Sequence, residues 1–208
     1  KYQFSNKQCG KKLAFVGNLM MRKNPVFVLQ CMQKLNYIDK DYKLHIAGQI
    51  YDEALYQYLN YMISELGLEE AVVFDGWQKD ISAWLSDKDF IVSTSVAESQ
   101  GMGILEGMAC GLKPIIHNFP GAEKIFKRDY LFNIAEEFCE MVTGGDYDPI
   151  RYREFVEDNY SLRSNLLEIN RLFTEYDKEI NPLKVVERSV PIKEVASKAT
   201  DKSNRVVI

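Results

Sequence analysis

The stretch FIVSTSVAESQGMGILEGMACGLKPIIHN, residues 90–118, contains two short apolar runs separated by a glycine-containing helical pattern. The runs at 90–95 and 113–118 have the length and apolar composition of buried strands. Between them, the pattern predicts a helix that starts near Gly101 and ends near Cys110. A strand, a helix and a second strand in this order predict a parallel pair of strands joined by a crossover helix.

The same alternation of apolar runs and helical patterns continues on the amino-terminal side of this stretch. Strands are predicted at residues 13–16, 43–48 and 71–76, and helices at 25–37, 52–67 and 80–87. Short strands that are apolar on both faces and alternate with helices are typical of a parallel sheet covered on both sides. The sequence therefore predicts an α/β domain with a doubly wound parallel sheet, Rossmann-like in architecture.

The remaining segments indicate how the chain is organised around this domain. Three further helical patterns follow the fifth strand, at 134–143, 148–159 and 161–180. We therefore expect the domain to span 13–180. The chain starts on Lys1 rather than methionine, and we interpret residues 1–12 as a lead-in from a preceding domain of a longer protein. Residues 181–208 are polar with little periodicity, which indicates a linker or tail.

Composition and charge exclude several classes of function. Apolar residues make up 46% and charged residues 27% of the 208 residues, as in ordinary globular proteins. The net charge of −4 is mild, so the sequence carries no broad footprint for nucleic acid or membranes. The four cysteines form no C-x-x-C pair, which favours free thiols in a reducing cytoplasm over a zinc site. No apolar run is long enough to span a bilayer.

Ligands of an open parallel sheet bind beyond the carboxyl ends of the strands, where the strand order reverses. After the fourth predicted strand, the first helix amides, in residues 101–104, precede any helical acceptor and suit a phosphate. Gly101 and Gly103 would let a diphosphate approach the backbone closely. Glu106, one turn into the helix, could accept hydrogen bonds from two vicinal hydroxyls, and Glu98 could hold another polyol.

A simpler interpretation of this segment has equal weight from spacing alone. The two glutamates could be solvated or matched to the helix dipole, and the glycines could only allow tight packing of helix on sheet. The loop after the first strand carries Arg22 and Lys23. This pair could neutralise a diphosphate near the switch point, or it could simply be exposed to solvent.

In combination, these segments resemble the C-terminal, nucleotide-sugar-binding domain of retaining glycosyltransferases of the GT-B fold, from residue 13 to about 176. The most specific feature is a pair of glutamates, Glu98 and Glu106, with seven residues between them. The second glutamate opens EGMACGLKPI, which matches the family pattern E-A-M-A-x-G-x-P-V. FVGNL with its later lysine, VVFDGW and PGAEKIF resemble three further family segments.

The resemblance implies a role for each matching residue. Lys23 and Glu98 would be the catalytic residues, Lys23 at the donor diphosphate and Glu98 at hydroxyls of the transferred sugar. Glu106 would bind the ribose. The turn at Gly76 and Trp77 would lie against the base, where Trp77 either stacks on the base or belongs to the core. The implied donor-binding set is Glu106, Arg22, Gly17, Asn18, Gly76, Trp77, Gly101, Met102, Gly103 and Ile104.

By resemblance, the chain is the donor-binding half of a retaining hexosyltransferase that moves a sugar from a UDP- or GDP-sugar to a saccharide or lipid-linked acceptor. It would use no cofactor and no metal. It would serve bacterial polysaccharide or glycolipid synthesis in the cytoplasm or at the inner face of the cell membrane. The missing N-terminal domain would supply the acceptor site, so we expect this chain alone to transfer no sugar.

The expected sugar transfer needs no histidine as a general base. His45 lies inside a predicted strand and is expected to be packed in the core. His117 ends the fifth predicted strand near the cleft and is a weaker candidate for a sugar contact.

Three departures from the family pattern bear on the choice of donor, and two other functions are alternatives to sugar transfer. Asn18 stands where the family often has arginine, E-S-Q-G at 98–101 replaces E-G-F-G, and Asn24 replaces a frequent glycine. A nicotinamide oxidoreductase would need G-x-G-x-x-G after the first strand, where Gly17 stands alone. A non-catalytic nucleotide-binding or scaffolding module is the stronger alternative.

Overall fold

A computed structural model describes residues 2–180 of the chain, except for the side chains of residues 163 and 164. Six parallel strands form one sheet, in the order β3-β2-β1-β4-β5-β6. The strands are β1 (Lys12–Val16), β2 (Lys43–Ala47), β3 (Val72–Gly76), β4 (Phe90–Ser93), β5 (Lys113–His117) and β6 (Leu131–Phe132). The strand order reverses between β1 and β4, so the predicted doubly wound sheet is confirmed. The predicted linker or tail at 181–208 lies outside the described residues.

The five predicted strands are confirmed to within two residues at each end. The sixth strand, β6, is not predicted from the sequence, because two residues are too short to show an apolar alternation. It extends the sheet beside β5, with Ile116 opposite Leu131 and His117 opposite Phe132.

The described residues form seven α-helices, and their predicted bounds are also confirmed to within two residues. They are α1 (Pro25–Ile38), α2 (Glu53–Glu65), α3 (Ile81–Leu85), α4 (Met102–Ala109), α5 (Ala135–Thr143), α6 (Pro149–Tyr160) and α7 (Leu162–Ile180). Aspartate caps start three of them: the side chains of Asp52, Asp80 and Asp148 each accept a hydrogen bond from the backbone amide three residues later.

The start of α1 differs from these three helices. Asn24 directly precedes Pro25, its backbone is left-handed, with φ of 49°, and its side chain makes no capping hydrogen bond. The left-handed turn ends the short 3-10 turn at Met21–Lys23, and the Asn24 amide donates to the Met21 carbonyl. Pro25 has no amide to satisfy, and the Phe27 amide donates to the Asn24 carbonyl at 3.1 Å, so the helix starts without a side-chain cap.

The core consists of two apolar layers, one on each face of the sheet. Along β1, Leu13 and Phe15 face the layer covered by α1, α2 and α5, whereas Ala14 faces the layer covered by α3, α4 and α6. In β4, Phe90 and Ile91 divide in the same way. Alternating side chains therefore bury both faces of the same strand, as a doubly wound sheet requires.

A glycine sets the close approach of α4 to the sheet. A Cβ atom added at Gly107 would lie 2.5 Å from Cβ of Ile91 on β4, closer than two carbon atoms can pack. The bare backbone at Gly107 therefore lets α4 lie directly on β4, with its amino end at the carboxyl edge of the sheet.

The lead-in runs beside α4 before it enters β1. The Ser5 amide donates to the Cys110 carbonyl at 3.1 Å. Further along, Lys7 Nζ lies 3.0 Å from Asp89, whose carboxylate also accepts the Lys12 amide at 2.8 Å. These contacts hold the segment in place although it has no regular secondary structure.

Among residues 2–180, no helix combines the length and the apolar character that crossing a membrane requires.

Candidate functional site

Two loops meet where the strand order reverses, one after β1 and one after β4. The Thr94 hydroxyl donates to the Asn24 carbonyl at 2.8 Å, and the Val96 amide donates to the Arg22 carbonyl at 3.0 Å. These bonds fix the loop that carries Lys23 against the loop that carries Glu98. The switch point of the sheet is therefore bordered by a basic loop and an acidic loop in contact.

Glu98 lies at the centre of this contact. Its side chain is 6% exposed, and Oε1 forms an ion pair with Lys23 Nζ and accepts a hydrogen bond from the Ser95 hydroxyl at 2.7 Å. Arg22 Nη1 lies 3.2 Å from the other oxygen and also donates to the Ala97 carbonyl at 2.9 Å. A solvated glutamate, the simpler alternative from the sequence, does not describe this buried side chain.

The protonation state of Glu98 follows from its partners. Burial raises the pKa of this carboxyl group, but the hydrogen bonds from Lys23 and Ser95 and the charges of Lys23 and Arg22 lower it by more. The net pKa is below the usual value, so the group is an ionised carboxylate at neutral pH. Lys23, 18% exposed, is part of this buried cluster, while Arg22 is exposed at its rim.

Gly17 and Asn18 support the basic loop. Gly17 has φ of 141°, and a Cβ atom there would lie 3.2 Å from Cε of Lys23, so the glycine leaves room for the lysine side chain. The side-chain oxygen of Asn18 accepts the Gln49 amide at 3.1 Å and ties the loop after β1 to the loop after β2. The residue predicted to contact the donor is thus also a structural link between loops.

The amino end of α4 differs in detail from the expectation. Gly101 is left-handed, with φ of 73°, and precedes the helix, while Met102 is exposed. The Ile104 amide donates to the Gly101 carbonyl at 2.9 Å, so the prediction that this amide is free is wrong. The helix opens with a tight turn, and the amides that precede its first internal bond are those of residues 101–103.

The glycines of α4 also have packing roles. A Cβ atom at Gly103 would lie 3.1 Å from Cβ of Val16, and one at Gly101 would lie 2.9 Å from the Phe126 ring. Gly103 and Gly107 therefore face the sheet. The packing role that the sequence left open explains these two residues directly, whether or not a diphosphate binds at the helix end.

Glu106 has a separate environment from Glu98. It is half-buried on α4, and its Oε1 accepts a hydrogen bond from the Tyr2 hydroxyl at 2.6 Å. Tyr2 belongs to the lead-in, 104 residues away in sequence, and the sequence contains no local signal for this contact. Tyr2 also lines a cavity of about 460 Å³, together with Lys79, Asp80, Ile81 and Ser82.

The Gly76–Trp77 turn borders the same region of the carboxyl edge. Gly76 has φ of 67°, and no atom would lie within 4 Å of a Cβ added there. Trp77 is 68% exposed. The alternative that Trp77 is a core residue is therefore wrong. The turn is held by the Gly76 carbonyl, which accepts the Gly48 amide at 2.9 Å.

The two histidines are both in polar contacts. His45 Nδ1 lies 3.0 Å from Asp75 Oδ2, and the same oxygen accepts Trp84 Nε1 at 2.9 Å. His45 is partly exposed and paired with a carboxylate, so the prediction that it is packed in the core is wrong. His117 Nδ1 lies 3.3 Å from the carbonyl of Ser95, whose hydroxyl holds Glu98.

Within the described part of the chain, no three His, Cys, Asp or Glu side chains are grouped so that they could hold a metal ion. The charged groups at the switch point are the side chains of Arg22, Lys23 and Glu98.

A doubly wound sheet with charged and glycine-containing loops at its switch point defines a Rossmann-like domain of the kind that binds nucleotides. The chain belongs to the glycosyl transferases group 1 family, whose family model matches residues 3–136.

The names of the curated relatives describe enzymes that transfer a sugar to a lipid-linked acceptor. One is the UDP-Gal:alpha-D-GlcNAc-diphosphoundecaprenol alpha-1,3-galactosyltransferase of Escherichia coli, 26% identical over 119 residues, 55% of this chain and 30% of that protein. Another is the GDP-mannose:cellobiosyl-diphosphopolyprenol alpha-mannosyltransferase of Xanthomonas campestris, 30% identical over 115 residues, 53% of this chain and 30% of that protein. The chain spans about a third of the length of these relatives.

Solved structures with the same fold include glycosyltransferases. TarM of S. aureus has a TM-score of 0.71 and 20% identity, over 83% of this chain and 37% of that one. Anabaena HepE in complex with UDP-glucose has a TM-score of 0.71 and 18% identity, over 79% of this chain and 49% of that one. The C-terminal domain of a Francisella tularensis group 1 glycosyl transferase has a TM-score of 0.64 and 18% identity, over 77% and 96% of the two chains. The domain is thus one half of a GT-B fold.

Proposed function

We propose that this chain is the donor-binding half of a retaining glycosyltransferase that transfers a hexose from a nucleoside-diphosphate sugar to an acceptor. The observation that carries the proposal is the ion pair of Lys23 and Glu98 across the switch point, beside the amino end of α4. A cation, a helix end and a buried carboxylate meet there, and these groups match the diphosphate and the hydroxyls of such a donor.

The diphosphate would bind at the positive side of this arrangement. The amides of residues 101–103 and the Lys23 ammonium provide donors and positive charge, and Arg22 adds a second cation at the rim. When the bond between sugar and diphosphate breaks, negative charge grows on the leaving phosphate oxygens. Groups fixed in advance next to those oxygens lower the barrier electrostatically. No step in this account uses a metal or a cofactor.

The two glutamates would bind different parts of the donor. Glu98, ionised and held by three partners, would accept hydrogen bonds from hydroxyls of the transferred sugar. Glu106, further into α4, would accept hydrogen bonds from the ribose. The exposed Trp77 ring beyond β3 would border the base.

The names of the relatives support a UDP- or GDP-sugar as donor and a polyprenol-diphosphate-linked sugar as acceptor. An acceptor of this kind would place the enzyme at the cytoplasmic face of a membrane.

We also propose that a second domain supplies the acceptor site and covers α7. That helix exposes an apolar stripe at alternating spacings of four and three residues, formed by Leu162, Leu166, Ile169, Phe173, Tyr176 and Ile180.

Calorimetric titration of the 208-residue chain with UDP-, GDP- and ADP-sugars tests the proposal. We expect one nucleotide class to bind, and we expect Lys23→Ala and Glu106→Ala each to weaken binding by about tenfold or more, because each removes a charged hydrogen-bonding partner. Lys40→Ala, at an exposed lysine between α1 and β2, is the matched control and should bind like the wild type. Unchanged affinity in both site variants would exclude the assigned site, and no binding of any nucleotide would favour a scaffolding module.

A further inference from the structure

The lead-in before β1 is anchored on two helices that border the candidate nucleotide site. The Gln3 amide donates to the Ser82 hydroxyl at 2.9 Å, and Ser82, at the start of α3, is buried. The Ser5 amide donates to the Cys110 carbonyl at the end of α4. The segment between these bonds therefore spans from α3 to α4 at a fixed position.

A third anchor holds the middle of this segment. The Phe4 ring faces the Arg153 guanidinium at 5.4 Å, and Arg153 in turn donates to the Ala109 carbonyl at 2.9 Å. A Cβ atom at Gly111 would lie 3.0 Å from the Phe4 ring, so the glycine gives the ring its place. Residues 3–5 are thus fitted to the surface formed by α4 and α6.

This anchoring delivers one side chain to the proposed ribose-binding carboxylate. Tyr2 donates its hydroxyl to Glu106 Oε1 at 2.6 Å. Burial, and then the adjacent Glu106 carboxylate, raise the pKa of the Tyr2 phenol, so the hydroxyl remains a donor across the physiological range. A hydrogen bond from a neutral donor to a carboxylate at this distance is strong and directional.

The bond leaves Glu106 able to accept further hydrogen bonds. An ionised carboxylate offers about four lone-pair directions on its two oxygens, and the phenol uses one of them. The Tyr2 ring also lines the cavity at the start of α3, whose volume of about 460 Å³ is within the range of small-molecule sites. One residue therefore both orients the acid and forms a wall of the adjoining cavity.

We propose that Tyr2 is a positioning residue for the nucleotide: its hydroxyl fixes the Glu106 carboxylate in the orientation that receives the ribose hydroxyls. The inference rests on the proposed function, because it assumes that Glu106 binds a pentose. It adds a residue from the lead-in to a site otherwise built from α4 and the loops at the carboxyl edge of the sheet.

The test compares a nucleotide that carries ribose with one whose pentose lacks the 2′ and 3′ hydroxyls. We expect Tyr2→Phe, which keeps the ring and its packing, to weaken binding of the UDP or GDP that the wild type accepts by about fivefold to tenfold. Binding of the 2′,3′-dideoxy form should be equal in wild type and variant, because the hydroxyls that Glu106 would receive are absent. In Glu106→Gln, the same tyrosine substitution should have little further effect. Tyr58→Phe, on the exposed face of α2, is the matched control.

Each other outcome overturns the inference. An equal loss for the ribose and dideoxy forms would show that Tyr2 has only a packing role. Tighter binding by Tyr2→Phe would show that the phenol blocks the site instead of orienting it. Suppose that Tyr2→Phe binds the ribose form and the dideoxy form with the same affinities as the wild type, and that Glu106→Ala weakens binding of the ribose form. The positioning role of Tyr2 is then wrong, while the proposed function stands. If the wild type binds no nucleotide, both fail together.

Discussion

Replacing Glu98 by glutamine removes the negative charge from the ion pair that Glu98 forms with Lys23. In the wild type, the ion pair with Glu98 partly neutralises Lys23, and Arg22 adds a weaker contact at 3.2 Å. Glutamine has nearly the same shape and keeps an acceptor for the Ser95 hydroxyl, but it removes the negative charge. We expect Glu98→Gln to bind free UDP or GDP more tightly than the wild type, and to lose the extra affinity that the attached sugar provides.

The size of the effect follows from the contact geometry. A phosphate bound to Lys23 would lie roughly 6 Å from the Glu98 carboxylate, because the same ammonium would contact both groups. At an effective dielectric constant of about 20, two charges at that distance repel by about 3 kcal/mol, and Arg22 and salt reduce this to about 1–2 kcal/mol. Removing the repulsion should therefore tighten diphosphate binding by about tenfold.

Titration calorimetry with free nucleoside diphosphate and with the corresponding nucleotide sugar measures both parts of this prediction. Glu69→Gln removes an exposed carboxylate after α2 and serves as the control, with unchanged affinity for both ligands. Diphosphate affinity that stays the same or falls in Glu98→Gln, at two ionic strengths, would refute the placement of a phosphate next to Lys23.

Two further predictions concern stability. Because the folded state lowers the Glu98 pKa below its usual value of 4.5, the stability that this carboxylate contributes is present above pH 4.5 and is lost as the pH falls through the folded pKa. Urea unfolding at pH 7 and at successively lower pH should show the wild-type advantage over Glu98→Gln shrinking in acid, and a constant difference would contradict the ionised pair. Gly107→Ala places a Cβ atom 2.5 Å from Ile91, and this overpacking outweighs the better helix propensity of alanine, so we expect a loss of about 1–2 kcal/mol in the free energy of unfolding. Gly145→Ala, with no atoms near its added Cβ, should change it little, and equal stability of both variants would exclude close packing of α4 on β4.

The sheet and helices are predictable because each element repeats its own signal locally. Strand β4 is buried along its whole length and is apolar except for Ser93. Aspartates such as Asp52 and Asp80 start helices through bonds within three residues. The missing strand, β6, has only two residues and is formed by its pairing with β5. Its existence depends on tertiary contact, which a sequence window does not contain.

The site is predictable only in part, for the same reason. The spacing of Glu98 and Glu106 places both near the start of α4, but their partners come from elsewhere. Lys23 is 75 residues from Glu98, and Tyr2 is 104 residues from Glu106. A glycine needed for packing and a glycine needed for a ligand look alike in a sequence, and Gly103 shows the packing role in the structure.

The two glutamates have partners of different charge, and the difference fits what each would bind. Compared with well-packed apolar side chains, a buried ion pair contributes little net stability, because desolvation offsets the attraction, so stability alone does not explain why charges stand around Glu98. A carboxylate beside phosphates must be compensated by cations, or it would repel the ligand, and Glu98 has two of them. Glu106 has a neutral phenol instead, which leaves its charge available to hydroxyl donors. In the proposed complex, the positive loop would therefore lie at the phosphate end of the ligand, and Glu106, one turn into α4, would lie where the ligand carries only hydroxyls.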